Sequence, residues 1–255
     1  MVMAVAEARI DGLAAGGRLG ARGMGARRLG LWLTILGWVA MSAMWVTGSA
    51  ALFGHDQEGI PAFIAVFLFM VGWTVMVAAM MIPSSLPTLA LVDRARDDGD
   101  SASRLMVGYF SAWAAFGAVA FAGDTILHLS VSTLPWLAER PSLIVGSVAI
   151  FAGAAEMIGR GAPPRYPAVH PAAGSYSLGR AHAFDRIRRC WPLMLFSMAV
   201  GMATPLWMAG LTLLMLLELH PRAEMVLRVA GLVLVTLGAA VVMEARWLHL
   251  FPGAG

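Results

Sequence analysis

The chain contains no lysine: all 18 of its basic residues are arginine, and only 13% of its 255 residues are charged. It has a single cysteine, Cys190, which excludes an internal disulfide and any all-cysteine metal site within one chain. It has no Gly-rich phosphate loop, Gly-x-Ser-x-Gly elbow, His-Glu-x-x-His motif or paired-cysteine motif, so the common nucleotide-binding, hydrolase and zinc-protease signatures are missing. A b-type haem needs two histidines at matching depth. His128 and His249 fall at opposite predicted membrane faces, which argues against a haem subunit. Nothing here marks an enzyme, although a membrane enzyme whose cofactor is donated by a partner subunit would read the same way.

What is present is apolar surface. Hydrophobic residues make up 59% of the chain, and mean hydropathy is +0.75, outside the range of soluble domains. The expected fold is an all-α integral membrane protein, with the lipid bilayer as its main partner. Six windows are apolar enough to cross a hydrocarbon core of about 30 Å: 31–53, 62–82, 105–128, 141–159, 191–217 and 226–244. Residues 1–30 read as a flexible tail, and 31–255 as one transmembrane domain of about six helices. The first span is too long for a signal-peptide core and reads as an uncleaved anchor, with Thr47 to Ala51 the one stretch resembling a cleavage site.

Charge sets the expected orientation. Arg9, Arg18, Arg22, Arg27, Arg28, Arg94, Arg96, Arg104, Arg160, Arg165, Arg180, Arg186, Arg188, Arg189 and Arg246 fall on one predicted side, and Arg140, Arg222 and Arg228 on the other. The positive-inside rule then places both termini in the cytoplasm of a bacterial inner (plasma) membrane. Orientation and anionic lipid headgroups account for these arginines, so no nucleic-acid partner is expected.

Two patterns carry chemistry. The first is an echo: Met76-x3-Met80-x2-Pro83 recurs 122 residues later as Met198-x3-Met202-x2-Pro205. At an offset of 121, Gly-Ala and Leu-His-Leu from Gly117 recur from Gly238. A repeat of three spans must cross in the opposite sense the second time, which predicts two inverted three-helix repeats with kinks or breaks at Pro83 and Pro205. Residues four apart share a helix face, so Met76 with Met80, and Met194 with Met198 and Met202, form two sulfur stripes that could face each other across a pseudo-two-fold axis. Thioether sulfur is a soft, uncharged ligand suited to Cu(I). Methionine is also an adaptable filler beside a kink, and the sequence leaves both readings open.

The second pattern is an acidic and imidazole rim on the predicted outer side. Asp124 and His128 lie four apart on one face, and Glu218 and His220 border the turn after the fifth span. Such a mixed set suits Zn(II), Cu(II) or Mn(II), and it equally suits a solvated edge that ends the helices. Glu156 and Glu244 are explained by snorkelling or by pairing with Arg160 and Arg246.

The stretches "GWTVMVAAMMIPSSLP", "GYFSAWAAFG" and "CWPLMLFSMAVGMATPLWMAGLTLLMLLE" resemble the bacterial family of predicted metal-binding integral membrane proteins known as domain of unknown function 2182. The likeness covers spans two to six, and Ala79 to Pro83 is its most specific part. It implies a membrane bundle that binds metal. Members carry a Cys-Cys-Trp before span five and cysteines after span three. This chain keeps Arg189-Cys190-Trp191 and has no cysteine between Pro135 and Pro141, as a divergent member would. The leading expectation is a copper-handling membrane protein that binds or moves the ion along the methionine stripes. The alternative is a non-catalytic subunit that scaffolds other membrane protein subunits.

Overall fold

The computed structural model describes residues 25–49, 61–95, 100–158, 174–200, 205–219 and 223–244. These form helices α1 (Ala26–Val46), α2 (Ala62–Ala95), α3 (Asp100–Thr133), α4 (Pro135–Ala138, a single turn), α5 (Pro141–Ile158), α6 (Ser175–Val200), α7 (Pro205–Leu217) and α8 (Ala223–Met243), with no strand among the described residues. Five stretches are long and apolar enough to cross a membrane: Ala26–Val46, Ala62–Val92, Ser101–Val131, Pro141–Ile158 and Glu224–Met243. They correspond to five of the six expected spans. In a bilayer every backbone polar group must be satisfied within the segment, which is why long apolar windows become helices.

Glycines set the pairings. Lipid tails are as apolar as leucine side chains, so membrane helices associate through close packing rather than through expulsion of water. A Cβ placed on Gly37 of α1 would stand 2.8 Å from the Ala79 nitrogen of α2, and one on Gly30 would press on Leu89, Ile82 and Leu86. Low numbers on α1 therefore face high numbers on α2, and the two run antiparallel. The pair α5–α8 is closer still. A Cβ on Gly146 would lie 2.7 Å from the Gly238 carbonyl oxygen, and one on Gly231 would lie 2.6 Å from that of Gly153. The third pairing joins α3 to α6, where side chains at Gly108 or Gly179 would fall on the carbonyl oxygens of Tyr176 and Leu105.

The fifth expected span, 191–217, requires correction. It is divided between the end of α6 and all of α7, and an ion pair joins the far ends of these helices: Arg186 Nη1 lies 3.3 Å from Glu218 Oε2. Fourteen residues of α6 follow Arg186 and the 13 of α7 precede Glu218. Each stretch is about 20 Å long at 1.5 Å per residue, so the ends meet only if α7 doubles back toward the start of α6. One unbroken crossing would hold them about 48 Å apart. Pro205 is the first residue of α7, the position proline tolerates best because its N–H has no partner there in any case. Pro83 and Pro87 lie inside α2, so the prolines of the two Met-x3-Met-x2-Pro segments occupy unlike positions, one within a helix and one at a helix start. The pairings differ between the halves as well: α1 packs chiefly on α2, whereas α5 packs chiefly on α8.

Candidate metal centre

Where α2, α3, α6 and α7 meet, the core is rich in sulfur. Met76, Met80 and Met81 of α2, Met194 of α6, and Met208 and Met215 of α7 are all at most 2% exposed, and Cys190 of α6 is 0% exposed. Cys190 Sγ approaches Met81 Sδ to 4.0 Å. The thiol and the thioether come from different helices.

A polar layer adjoins the sulfurs. Arg186, one turn before Cys190 on α6, is 2% exposed. Its guanidinium donates to Glu218 Oε2 at 3.3 Å and to Ser84 Oγ at 2.8 Å. The ion pair is neutral overall, which lets a charge sit in a low-dielectric interior. Ser84 and Ser85 return their hydroxyls to the Met81 carbonyl at 2.9 and 3.1 Å, and Ser85 Oγ is 3.2 Å from Tyr109 Oη of α3. Tyr109 stacks on His182 of α6 with ring centroids 5.9 Å apart. His182 is buried and neither ring nitrogen has a hydrogen-bond partner among the described residues. Burial, reinforced by the Arg186 guanidinium and opposed by Asp185, pushes its pKa down to about 4, so it is neutral near pH 7.

Aromatic residues wall this layer from one side. Trp73 Nε1 donates to the Trp113 carbonyl at 2.9 Å; Phe69, Trp73, Phe116 and Phe121 pack in succession between α2 and α3. Phe196 of α6 meets Trp207 of α7 edge-on at 5.5 Å, which fastens the doubled-back helix.

The residues singled out in the sequence are distributed as follows. Met76 and Met80 are fully buried on the helix that carries Met81, and Met198 is partly buried against the core. Met202 and His220 lie outside the described residues. Asp124 and His128 do adjoin each other, with His128 Nδ1 3.5 Å from Asp124 Oδ2 and 2.9 Å from the Asp124 carbonyl oxygen. Glu218, however, does not join them. It is held in the Arg186 layer beside Tyr109, and Asp124 lies fifteen residues, about 22 Å, further along α3. The expected rim is therefore divided between two levels of the bundle. Among the described residues no three His, Cys, Asp or Glu side chains gather as a metal-holding group. The sequence reading passed over Met81, Cys190, Arg186 and His182 as site residues. Yet His182, Arg186, Cys190 and Met194 recur at every fourth position, one helix face that the sequence does print.

No curated protein and no solved structure matches the chain. A family model does, over residues 70–158 and 166–241, and its description is copper chaperone. Those two stretches carry every element of the sulfur and arginine layer, from Trp73 to Glu218, and together exceed half of the sequence. The chain belongs to the PpoB2 copper chaperone family.

Proposed function

We propose that the protein takes up Cu(I) as cargo within the membrane bundle and holds it between Cys190 and Met81. The observation that carries this reading is the 4.0 Å Sγ–Sδ approach in a core with no exposure at Cys190. Two sulfurs each bonded to one ion at about 2.3 Å stand about 4.0 Å apart when the angle between them is near 120°. A thiol and a thioether are soft donors that select Cu(I) over hard or borderline cations. Met80 beside Met81, and Met194 one turn beyond Cys190, are buried neighbours on the same two helices and supply further thioethers along the path of the ion. A chaperone must also release its cargo. Neutral thioethers bind Cu(I) less tightly than thiolates, and a site with one thiol among methionines is suited to transfer.

The protein's own groups have separable roles. Cys190 supplies the one anionic ligand once its proton leaves. The Arg186–Glu218 pair keeps α7 folded over the sulfurs without adding net charge beside a cationic cargo. The Trp73–Trp113 wall keeps water from the site.

Competition of purified protein against a chromogenic Cu(I) chelator tests the assignment. Wild type should withhold one Cu(I) per chain. Met81→Leu with Cys190→Ser should lose at least tenfold in affinity while remaining monodisperse, since Met→Leu conserves volume. His128→Ala should bind as wild type does. Undiminished Cu(I) affinity in the Met81→Leu, Cys190→Ser variant would overturn the assignment.

A further inference from the structure

The first half of α6 has an outer face that the copper reading does not use. Tyr176, Arg180, Phe184, Arg188 and Trp191 are all exposed, although the opposite face of the same turns is buried through Leu178, Gly179, His182, Ala183, Arg186 and Ile187. At 3.6 residues per turn the five exposed side chains fall within roughly a third of the helix circumference. Aromatic and basic residues alternate along this stripe and no carboxylate interrupts it. Asp185 lies off it and pairs with Arg189 at 3.1 Å.

The placement of α6 gives the stripe its meaning. Tyr176 bonds Ser111 at 3.1 Å, Gly179 abuts Leu105 and Tyr109, His182 stacks on Tyr109, Arg186 reaches Ser84 and Cys190 reaches Met81. Ser85 and Tyr109 are themselves in contact. Against α3 the helix runs antiparallel, with Tyr176 over Gly108 and Gly179 over Leu105, and it meets α2 through the Arg186 and Cys190 side chains. The layer is also off-centre. It lies about 15 Å from the Ala95 end of α2, a helix about 50 Å long against a hydrocarbon core of about 30 Å, which puts it toward one face of the membrane. Finally, α6 is not among the helices apolar enough to span.

We infer that this stripe is a lipid-recognition surface at the headgroup level of one membrane face, selective for anionic phospholipids. Arg180 and Arg188 supply the charge for phosphate-bearing headgroups of net negative charge, while Tyr176, Phe184 and Trp191 seat at the boundary where amphipathic rings are enriched. Trp191 is steadied from behind by Phe151 of α5 at 5.5 Å. The inference does not depend on copper. Its consequence is that the helix bearing Cys190 is referenced to the membrane surface through its other face.

Two measurements on the full-length chain test it. In native mass spectrometry from detergent, phosphatidylglycerol should be retained in preference to phosphatidylcholine. Arg180→Gln with Arg188→Gln should weaken that retention about twenty-five-fold, taking about fivefold per arginine near the surface, with Cu(I) affinity unchanged. Spin labels at Ser177→Cys, Ala181→Cys and Phe184→Cys in nanodiscs should all report headgroup depth; the native Cys190 is too buried to label. Equal phosphatidylglycerol retention by the double variant would overturn the inference. So would labels in bulk water, the result expected of a docking surface for a soluble acidic protein, or labels at the depth of the hydrocarbon core.

Discussion

Removing the Glu218 carboxylate is the sharpest perturbation the fold offers. In Glu218→Ala the Arg186 guanidinium stays at 2% exposure and loses the carboxylate it pairs with, keeping the Ser84 hydroxyl at 2.8 Å. Breaking one side of a buried pair costs about 3–5 kcal/mol, because the remaining charge is stranded in a medium that cannot solvate it. The retained serine bond argues for the lower end, about 3 kcal/mol. The same change frees the end of α7, so Met208 and Met215 lose their cover together. Reversible unfolding in mixed micelles, followed by tryptophan fluorescence, reads the cost directly. Replacing both partners, Arg186→Met with Glu218→Leu, removes both charges and should return stability to within about 1 kcal/mol of wild type. If Glu218→Ala alone stays within about 1 kcal/mol, or if the double variant is worse than the single, the buried pair does not hold α7 and the doubled-back arrangement is wrong.

Three other outcomes are expected. Gly153→Leu should disrupt the α5–α8 pair, where even a Cβ would stand 2.8 Å from the Val235 nitrogen, while Gly210→Ala, with nothing within 4 Å, should be silent; thermal aggregation in detergent distinguishes them. Lowering pH should destabilise the protein through His182, whose folded pKa of about 4 lies below its ordinary value of 6.5: the unfolded chain takes up the proton first, so stability is full above pH 6.5 and falls toward pH 4. That part of the pH dependence should vanish in His182→Phe. Cysteines introduced at Arg188 and Leu219, in a Cys190→Ser background, should react with an impermeant thiol reagent from the same face of the membrane, whereas a single unbroken crossing over 191–217 puts them on opposite faces.

The helices were legible because a bilayer leaves the chain little choice. Windows such as 141–159 and 226–244 are largely apolar, with Glu156, Arg228 and Glu244 their only charged residues, and they match α5 and α8 closely. The doubled-back α6–α7 unit was hidden by the same simplicity: hydropathy is a one-dimensional signal, and a reversal inside an apolar run leaves it unchanged. Arg186 was misread for a related reason. Charge statistics treat each arginine as a marker of membrane side, and only the three-dimensional meeting with Glu218 and Ser84 shows this one to be internal. The methionine spacing drew attention to the helices whose sulfurs line the core. The sequence pointed to Met80 over Met81 because the repeat contains the former, whereas the approach to Cys190 belongs to its neighbour. Met76 and Met80 are buried inside the bundle.

The most direct test of the central claim is X-ray absorption at the copper edge of the Cu(I)-loaded protein, prepared once with methionine and once with selenomethionine. The account predicts a first shell made of sulfur at about 2.3 Å in the former, and a copper–selenium contribution in the latter that disappears in Met81→Leu. A first shell of nitrogen and oxygen, or copper–selenium scattering that survives the loss of Met81, would contradict it.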